Sequence, residues 1–382
     1  MAFISRALGP RLHGASRAFP ALVLTGPRRS GKTTLLRAMF PQADYHLLED
    51  PDLVSRFRAD PRTFVDGLRL PAILDEIQHV PEILAYVRTV IDRHPRRMGR
   101  FFLTASQEAP LMRGVTESMA GRAAVLQLLP LSLLESPKVS LLRGGFPEVV
   151  TRPRTAQLWF ASYLQTYLER DVRAIVQVRH LATFRRFLGL VASRVGQVLN
   201  RVDLAAPLGV SVPTISHWLS VLETTSVILL VPPFYENFGK RLVKSPKIYL
   251  GDSGLACHLL GLETLAALER SPFLGPVWEG FVASEIVKQQ VHGGRRRELY
   301  WFRDRKGLEV DFVVPETAAR LTLIEAKATR TPRPSDAEPI RRLGRAVGSR
   351  SVRGIVVHRG TDEQPALLLG TTAVPITKLR LS

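Results

Sequence analysis

Residues 21–39 read ALVLTGPRRSGKTTLLRAM, a short apolar run that leads into a loop with two glycines and then into a helix-like stretch. Within it, residues 26–33 match the pattern G-x-x-x-x-G-K-[ST]. The glycines let backbone N–H groups turn inward, where they surround a phosphate at the N-terminus of the following helix. The stretch therefore predicts a phosphate-binding loop between a strand and a helix.

This loop predicts a nucleotide site, and ATP with Mg²⁺ is the expected ligand. Lys32 is expected to contact the β- and γ-phosphate oxygens and to act in catalysis, and the Thr33 hydroxyl is expected to bind Mg²⁺. The predicted nucleotide-binding residues are Gly26, Pro27, Arg28, Arg29, Ser30, Gly31, Lys32, Thr33 and Thr34.

A second apolar run, PAILDE at residues 71–76, ends in two carboxylates. Asp75 is expected to hold Mg²⁺, directly or through water, and Glu76 to orient and deprotonate the attacking water. The alternative is a strand that ends in a solvated acidic turn. The order and spacing of the run after the phosphate loop favour the catalytic interpretation.

Two further features provide candidates for contact with the γ-phosphate. The apolar run at residues 100–106 leads to Thr104 and Ser106, which either sense the γ-phosphate or are ordinary strand-end hydroxyls. Arg122 is a candidate arginine finger that acts on a neighbouring subunit, because the transition state needs a cation near the γ-phosphate. The alternative is that Arg122 is one of many solvated surface arginines.

The first part of the chain alternates between apolar runs and helical patterns. Four runs, at residues 21–25, 44–48, 71–76 and 100–106, are separated by helix-like stretches, and a helix is expected before the first run. This alternation predicts a mostly parallel sheet covered on both faces, so the fold class is α/β with a P-loop NTPase domain at residues 1–135. Residues 131–153 are rich in proline and glycine and are predicted to be a linker.

Residues 136–250 are predicted to form a helical and winged-helix domain. Residues 203–223 have the layout of a helix-turn-helix in which Gly209 turns the chain. Residues 227–231 and 247–250 would form the two strands of the wing.

The winged helix predicts a DNA-binding surface. The second helix would face a groove, while the basic wing would contact phosphates. The alternative is a winged helix used only for packing against protein. The predicted DNA-binding residues are Thr214, Ser216 and His217 on the helix and Lys240, Arg241 and Lys244 in the wing, with Lys247 as a further phosphate contact.

Residues 251–382 predict a second α/β domain, in which a helix precedes several strands. Glu279 on the helix, Asp311 on a strand and an E-x-K motif on the next strand follow the order of restriction-endonuclease-like cores. Carboxylates in such cores hold Mg²⁺, and the lysine polarises the phosphate or its water. The alternative is an ion pair at a strand edge. The predicted metal ligands are Glu279, Asp311 and Glu325, and the predicted catalytic residues are Asp311, Glu325 and Lys327.

Composition limits the class of partner. The chain has 382 residues, of which 53 are Lys or Arg and 34 are Asp or Glu, so its formal net charge is +19. This charge suits a polyanion, either nucleic acid or an anionic membrane surface. No apolar run reaches the ~18 residues that span a bilayer, so we expect a soluble protein. Of the two kinds of polyanion we expect nucleic acid, and no membrane partner. The single cysteine, Cys257, excludes an internal disulfide and makes a Cys-based zinc site implausible, which fits a cytoplasmic protein.

Several segments together resemble a prokaryotic family of ATP-binding proteins, in which an AAA-like P-loop domain precedes a C-terminal domain of unknown function, number 4143. The similar segments, which span nearly the whole chain, are TGPRRSGKTTLLR, ILDEIQHVPEIL, ESMAGR, YLERDVR, KRLVKSPKIYLGDSGLA, EGFVASEI, EVDFVV and IEAK. One departure is Ala105, where glycine is expected. The resemblance implies ATP binding by an AAA-like N-terminal domain.

The leading hypothesis is an ATPase that couples hydrolysis to DNA remodelling or translocation, on duplex or branched DNA. We expect a homo-oligomer, of which a hexameric ring is one form. The alternatives are an ATP-dependent nuclease and a regulatory ATPase switch whose nuclease-like domain is catalytically silent.

Overall fold

The computed structural model describes residues 3–105, 119–168, 181–234, 245–348, 350–368 and 370–381. The chain forms two compact units, each with its own main sheet. The first unit contains Met1–Leu131, Thr224–Ser226 and Val291–Arg295. The second unit contains Ser132–Glu223, Val227–Gln290 and Arg296–Ser382.

The first unit is built on a parallel sheet of five strands. They are β1 (Ala21–Thr25), β2 (Asp44–Leu47), β3 (Ala72–Asp75), β4 (Phe101–Thr104) and β5 (Ala123–Gln127). Their order in the sheet is β2-β3-β4-β1-β5, and all neighbours are parallel. The four predicted runs are β1 to β4, which confirms the α/β prediction. The prediction omitted β5, because its short apolar run merges with the proline-rich segment that follows.

Both faces of this sheet are buried, as its apolar strands require. Along β1, Ala21 and Val23 belong to one apolar cluster, whereas Leu22 and Leu24 belong to another, because successive side chains point to opposite faces. The helices of this unit are Gly9–Ala18, Lys32–Met39, Pro51–Ala59, Pro61–Asp66 and Ile83–Arg93. The first of them is the expected N-terminal helix.

The second unit begins with a mainly helical part. Its helices are Pro147–Thr151, Ala156–Tyr163, Leu181–Ser193, Arg201–Ala205 and Val212–Thr224. Gly209, with φ of 64°, lies in the turn between the last two helices. Strands β6 (Ile228–Val231) and β7 (Lys247–Leu250) form an antiparallel pair. The predicted helices and paired strands are therefore present, while their identification as a winged helix stays a prediction.

The remainder of the second unit contains a mixed sheet of six strands. Three helices precede it: Ser253–Leu259, Leu265–Arg270 and Leu274–His292. The strands are β8 (Tyr300–Arg303), β9 (Glu309–Thr317), β10 (Arg320–Lys327), β11 (Ser351–His358), β12 (Gln364–Leu368) and β13 (Thr371–Pro375). Their order is β12-β13-β11-β10-β9-β8, and the helix Glu338–Ala346 packs on this sheet through buried Ile340 and Leu343. Within the described residues, no helix combines the length and apolar character needed to cross a membrane.

The segment predicted to be a linker, residues 131–153, is instead folded into the second unit from residue 132 onward. Phe146 is 3% exposed, and the Gly145 N–H donates to Asp252 Oδ2 at 2.7 Å. The prolines and glycines therefore mark tight turns of a packed segment. The division into three domains at residues 135 and 250 stays a prediction.

Candidate nucleotide site and a buried carboxylate cluster

The phosphate loop between β1 and the helix Lys32–Met39 requires glycine at two positions. Gly26 has φ of 137°, and a Cβ atom there would lie 2.1 Å from the Leu128 carbonyl oxygen. Gly31 has φ of 96°, in the left-handed region that favours glycine. Arg29, between them, also has a positive φ of 63°, a strained conformation of the kind that clusters at functional sites.

Lys32 is folded back over this loop. Its Nζ donates hydrogen bonds to the carbonyl oxygens of Gly26 (3.0 Å) and Pro27 (3.1 Å), and the residue is only 5% exposed. The Ser30 hydroxyl is buried and has no hydrogen-bond partner in the described part of the chain. A buried donor without an acceptor costs free energy, and a phosphate oxygen would accept from it. The loop therefore fits a phosphate group.

Asp75, at the end of β3, accepts hydrogen bonds from three hydroxyl groups. Thr33 Oγ1 lies 3.0 and 2.9 Å from its two carboxylate oxygens, Tyr45 Oη lies 2.8 Å from Oδ2, and Thr104 Oγ1 donates to Oδ1. Burial, followed by the bond to Asp75, raises the pKa of Tyr45, so the phenol keeps its proton and remains a donor. The structure thus brings the two predicted Mg²⁺ ligands of this unit, Thr33 and Asp75, into contact.

Glu76 follows Asp75 in a left-handed conformation, with φ of 59° and ψ of 48°. Its backbone N–H donates to Thr104 Oγ1 at 3.0 Å, and its carboxylate accepts from the Gln78 side-chain amide. A left-handed conformation outside glycine costs about 1–3 kcal/mol and persists only where surrounding contacts enforce it. Thr104, a sensor candidate in the sequence, therefore holds Asp75 and the Glu76 backbone in place.

Three residues of this site were not predicted from the sequence: Arg6, Tyr45 and Gln78. Arg6 is 6% exposed and donates to the carbonyl oxygens of Ser30 (2.8 Å) and Leu129 (2.6 Å). A complete helix separates Arg6 from the phosphate loop along the chain, and no motif marks Tyr45 or Gln78. Only the folded chain brings them to the site.

The other predicted residues of the first unit differ in their surroundings. Arg28 is buried, whereas Thr34 is exposed on the first turn of its helix. Arg122 forms a two-point ion pair with Asp92, with Nε 2.5 Å from Oδ1 and Nη2 3.1 Å from Oδ2. The candidate arginine finger is therefore engaged within its own chain, and its action between subunits stays a prediction. Ser106 lies outside the described residues.

The predicted DNA-binding residues are only partly described. His217 is exposed, and Thr214 and Ser216 are half-buried. Three wing residues lie outside the described part of the chain: Lys240, Arg241 and Lys244. Lys247 is 4% exposed, so its predicted contact with phosphate is wrong.

Lys247 instead lies among the predicted metal ligands of the second unit. Its Nζ is 2.8 Å from Glu279 Oε1, 2.6 Å from Glu309 Oε1 and 3.9 Å from Asp311 Oδ1. The ammonium also lies 5.3 Å from the centre of the Trp301 ring. Two carboxylates that were predicted to hold Mg²⁺, Glu279 and Asp311, thus lie around an ammonium group together with Glu309, which was not predicted. We call Lys247, Glu279, Glu309 and Asp311 the lysine–carboxylate cluster.

The E-x-K motif on β10 also forms an ion pair, with Lys327 Nζ 3.0 Å from Glu325 Oε2. Asp311 Oδ2 accepts from the Ala326 N–H at 2.9 Å. Among the described residues, no group of three or more His, Cys, Asp and Glu side chains is arranged to hold a metal ion. The predicted metal site of Glu279, Asp311 and Glu325 therefore does not form in this structure, because lysine ammonium groups pair with these carboxylates.

Burial changes the proton affinity of this region. Burial, with a further contribution from Asp311, raises the pKa of Glu279 to about 7 despite the nearby Lys247 ammonium. The same two causes raise the pKa of Glu325 well above its usual value. Burial alone would lower the pKa of Lys247, but the surrounding carboxylates, with Glu279 first, outweigh it and raise that pKa. Lys247 is therefore a permanent cation.

Three family descriptions match the chain. An AAA domain matches residues 18–136, a domain of unknown function (DUF8612) matches residues 135–266, and another (DUF4143) matches residues 274–379. Uncharacterized proteins of Mycobacterium tuberculosis and Mycobacterium bovis are each 34% identical over 329 residues, which cover 84% of this chain and 73% of theirs.

Solved structures also resemble the chain at low identity. A Walker-type ATPase of Pyrococcus abyssi is 16% identical with a TM-score of 0.45, covering 67% of this chain and 96% of that one. RuvB of Thermotoga maritima is 16% identical with a TM-score of 0.29, covering 59% of this chain and 87% of that one.

Proposed function

Because the chain belongs to the family in which an AAA-type P-loop ATPase domain precedes the domain of unknown function DUF4143, we propose that it hydrolyses ATP with Mg²⁺ at the phosphate loop. One observation carries this proposal: a single hydrogen-bonded group joins Thr33, Asp75, Thr104 and Glu76. It brings the hydroxyl of Thr33, the residue after Lys32, against the Asp75 carboxylate, and Mg²⁺ with a nucleotide phosphate needs these donor types.

Lys32 supplies the positive charge for the phosphate oxygens. In the structure its ammonium donates to the carbonyl oxygens of Gly26 and Pro27, which are neutral acceptors. Phosphate oxygens are charged acceptors, and charge-assisted hydrogen bonds are roughly twice as strong as neutral ones. When Lys32 exchanges the two carbonyl oxygens for phosphate oxygens, its hydrogen bonds become stronger, and this favours nucleotide binding. The Ser30 hydroxyl offers one further donor.

Thr33 and Asp75 are the residues that would hold Mg²⁺, and the bound ion would neutralise negative charge on the phosphate oxygens. Tyr45 and Thr104 orient the Asp75 carboxylate through their hydroxyl groups. In our proposal, Glu76 accepts the proton of the attacking water as the general base. The hydrogen bonds of its carboxylate with the Gln78 side chain and of its N–H with Thr104 restrict where that base points.

Glu76→Gln is the substitution that separates ATP binding from hydrolysis. The amide keeps the size of the side chain but cannot accept a proton, so kcat should fall at least ~100-fold, as expected for loss of a general base. The Kd for ATP should change little, whereas Lys32→Ala should abolish ATP binding. Phosphate release and fluorescent-nucleotide titration measure the two quantities. Normal turnover by Glu76→Gln would refute the assignment of Glu76.

We extend the proposal to DNA, so that ATP hydrolysis drives remodelling of, or movement along, duplex or branched DNA. The formal net charge of +19 supports this extension, because it attracts a polyanion. The exposed His217 on the helix Val212–Thr224 also supports it. In this proposal Thr214, Ser216 and His217 face the DNA, and the wing residues Lys240, Arg241 and Lys244 contact phosphates.

ATPase rates with linear duplex, with junction DNA and without DNA test this extension. Coupling predicts faster hydrolysis with DNA. A triple variant replaces the wing residues Lys240, Arg241 and Lys244 with Glu. The slope of log affinity against log salt concentration should become less steep by about 0.9 for each phosphate group that these side chains neutralise in the wild-type protein. ATP affinity should not change. Binding no tighter than that of a charge-matched basic control protein would contradict the DNA role.

A regulatory ATPase switch is the second candidate function. It is favoured by the position of Lys247 beside Glu279 and Asp311, carboxylates that a nuclease would use for a metal. For the same reason, DNA cleavage is not part of our proposal. An ATPase rate that does not respond to DNA, together with ATP-dependent self-association, would favour the switch.

The proposed active form is a homo-oligomer, for example a hexameric ring, in which Arg122 acts on the ATP of a neighbouring subunit. This requires Arg122 to exchange its ion pair with Asp92 for a phosphate group, and exposed ion pairs contribute little to stability. Mixing Arg122→Ala subunits with Lys32→Ala subunits should then restore part of the hydrolysis at mixed interfaces. A protein that stays monomeric with ATP would contradict this arrangement.

A further inference from the structure

Arg6 lies in the short segment before the first helix, Gly9–Ala18, and its guanidinium contacts the phosphate loop. We propose that Arg6 is a positioning residue of the nucleotide site, which holds the peptide between Ser30 and Gly31 in the orientation that binds phosphate. Such a role rests on the proposed ATPase function and concerns the same loop. The residues that carry it all belong to the first unit.

One guanidinium joins carbonyl groups of two different segments. The Nη1 of Arg6 donates to the Ser30 carbonyl oxygen at 2.8 Å, and Nη2 donates to the Leu129 carbonyl oxygen at 2.6 Å. Arg6 is 6% exposed, so both hydrogen bonds are largely shielded from water. A guanidinium holds its donors in a rigid plane. It therefore fixes the two carbonyl groups relative to each other.

The Leu129 peptide gives this bridge a fixed end. The Leu129 N–H donates to His292 Nε2 at 3.1 Å. The N–H of the preceding residue, Leu128, donates to the carbonyl oxygen of the last residue of β1 at 2.8 Å. The Leu128 carbonyl oxygen also lies where a Cβ atom at Gly26 would be only 2.1 Å away. Arg6 therefore ties the loop to a segment that is itself held in place.

The bond to the Ser30 carbonyl orients the next N–H group. A trans peptide is planar and its C=O and N–H point to opposite sides, so the Gly31 N–H points away from the Arg6 guanidinium. Gly31 is the N-cap of the helix Lys32–Met39, and N–H groups at a helix N-terminus bind anions. Arg29 has φ of 63°, a conformation that residues other than glycine keep only where surrounding contacts enforce it. Arg6 provides such a contact.

The charge of Arg6 acts on the same peptide. A guanidinium that binds the Ser30 carbonyl oxygen polarises the peptide, and this makes the Gly31 N–H a stronger donor. That N–H would contact the same phosphate group before and during hydrolysis. Loss of an interaction that is equal in the ground state and the transition state raises KM and leaves kcat unchanged. Arg6 should therefore affect nucleotide binding and not the chemical step.

Arg6→Met and Arg6→Lys test this role in the full chain. Methionine removes both hydrogen bonds, so Kd and KM for ATP should rise at least about tenfold, the factor that corresponds to one hydrogen bond from a charged donor. Lysine keeps the charge without the rigid fork, so the rise should be smaller. In both variants kcat at saturating ATP should stay unchanged. Fluorescent-nucleotide titration measures Kd, and steady-state phosphate release measures KM and kcat.

Arg17→Met is the matched control. Arg17 is exposed in the last turn of the helix Gly9–Ala18, so the same substitution removes one positive charge from the same part of the chain. Kd and KM for ATP should stay at their wild-type values. An equal rise in Arg6→Met and Arg17→Met would assign the effect to net charge and overturn the proposal.

Thermal unfolding distinguishes positioning from a role in folding. A smaller folded fraction would lower the apparent kcat and leave KM unchanged, which is the opposite of the expected result. Arg6 variants that unfold, or folded variants that bind ATP as tightly as wild type, would overturn the proposal. Wild-type protein that binds no ATP would contradict the proposed function itself, on which the role of Arg6 depends.

Discussion

The two carboxylate sites of this chain differ in the groups that face the carboxylates. In the first unit, Asp75 accepts hydrogen bonds from the neutral hydroxyls of Thr33, Tyr45 and Thr104. In the second unit, Glu279 accepts from the Tyr249 hydroxyl but also shares the Lys247 ammonium with Glu309. Hydroxyl donors orient a carboxylate without cancelling its charge, whereas an ammonium cancels it.

This difference teaches that carboxylates at strand and helix positions do not by themselves identify a metal site. Both sites contain carboxylate oxygens, which are ligands that divalent cations use in proteins. Only in the first unit do the groups around the carboxylate leave its negative charge uncancelled. That charge can therefore bind a cation that enters with a nucleotide. The residue that decides the second site, Lys247, comes from a different strand pair, outside the motif that suggested the metal site.

The largest expected effect concerns the stability of the second unit. Lys247→Met removes the buried ammonium that pairs with the largely buried Glu279 carboxylate, and breaking a buried ion pair costs about 3–5 kcal/mol. Denaturant unfolding at pH 8 should show this decrease in the free energy of unfolding. Lys378→Met, which removes an exposed lysine, should unfold close to the wild-type midpoint. Equal stability of the two variants would mean that the cluster is not a strong ion pair.

A smaller effect is expected from Thr104→Val in the first unit. The valine keeps the shape of the side chain but removes the bonds to Asp75 Oδ1 and Glu76 N, each worth about 0.5–1.5 kcal/mol. If these bonds position the catalytic groups, kcat for ATP hydrolysis should fall roughly tenfold, while Kd for ATP changes little.

Thr89→Val is the control for this measurement, because the Thr89 hydroxyl donates only to the Ala85 carbonyl oxygen on an exposed helix face. It should leave kcat unchanged. A fall in kcat that is equal in both variants would assign the effect to a general decrease in stability and not to the Asp75 and Glu76 positions.

The smallest expected effect is on the pH dependence of stability. Burial and Asp311 raise the pKa of Glu279 from 4.5 to about 7 in the folded chain. The folded state therefore keeps a proton that the unfolded chain has released, and this contribution to stability is complete below pH 4.5 and lost as the pH rises through 7. Between pH 5 and pH 8, the Tm of Glu279→Gln should fall by less than that of wild type. An equal fall in both proteins would contradict the raised pKa.

Several parts of the fold and of the candidate site could be predicted because they depend on neighbours in the chain. The strand–loop–helix pattern at residues 21–39 and the run that ends at Asp75 are local, and both glycines of the loop adopt the positive φ that requires them. The runs β1 to β4 were predicted because buried parallel strands are continuously apolar.

Other parts depend on contacts between residues far apart in the chain. Arg6 reaches the Ser30 and Leu129 carbonyls, and Thr104 reaches Asp75 because β4 lies between β1 and β3 in the sheet. Strand order follows from which apolar faces pack together, and a single strand's sequence does not contain that information. The same limit explains why residues 131–153 suggested a linker: turn residues look alike in packed and in flexible segments.

The sequence by itself determined the phosphate loop, the carboxylates Asp75 and Glu76, the four apolar strands and the family, because each depends on residue types at short fixed spacings. The tertiary structure alone decided that Thr104 supports Asp75 and Glu76, and that Lys247 meets Glu279 and Glu309. The physical reason is the distance along the chain over which each interaction acts. Backbone conformation is set within a few residues, whereas the charge that a buried carboxylate meets depends on which distant side chain the core brings beside it.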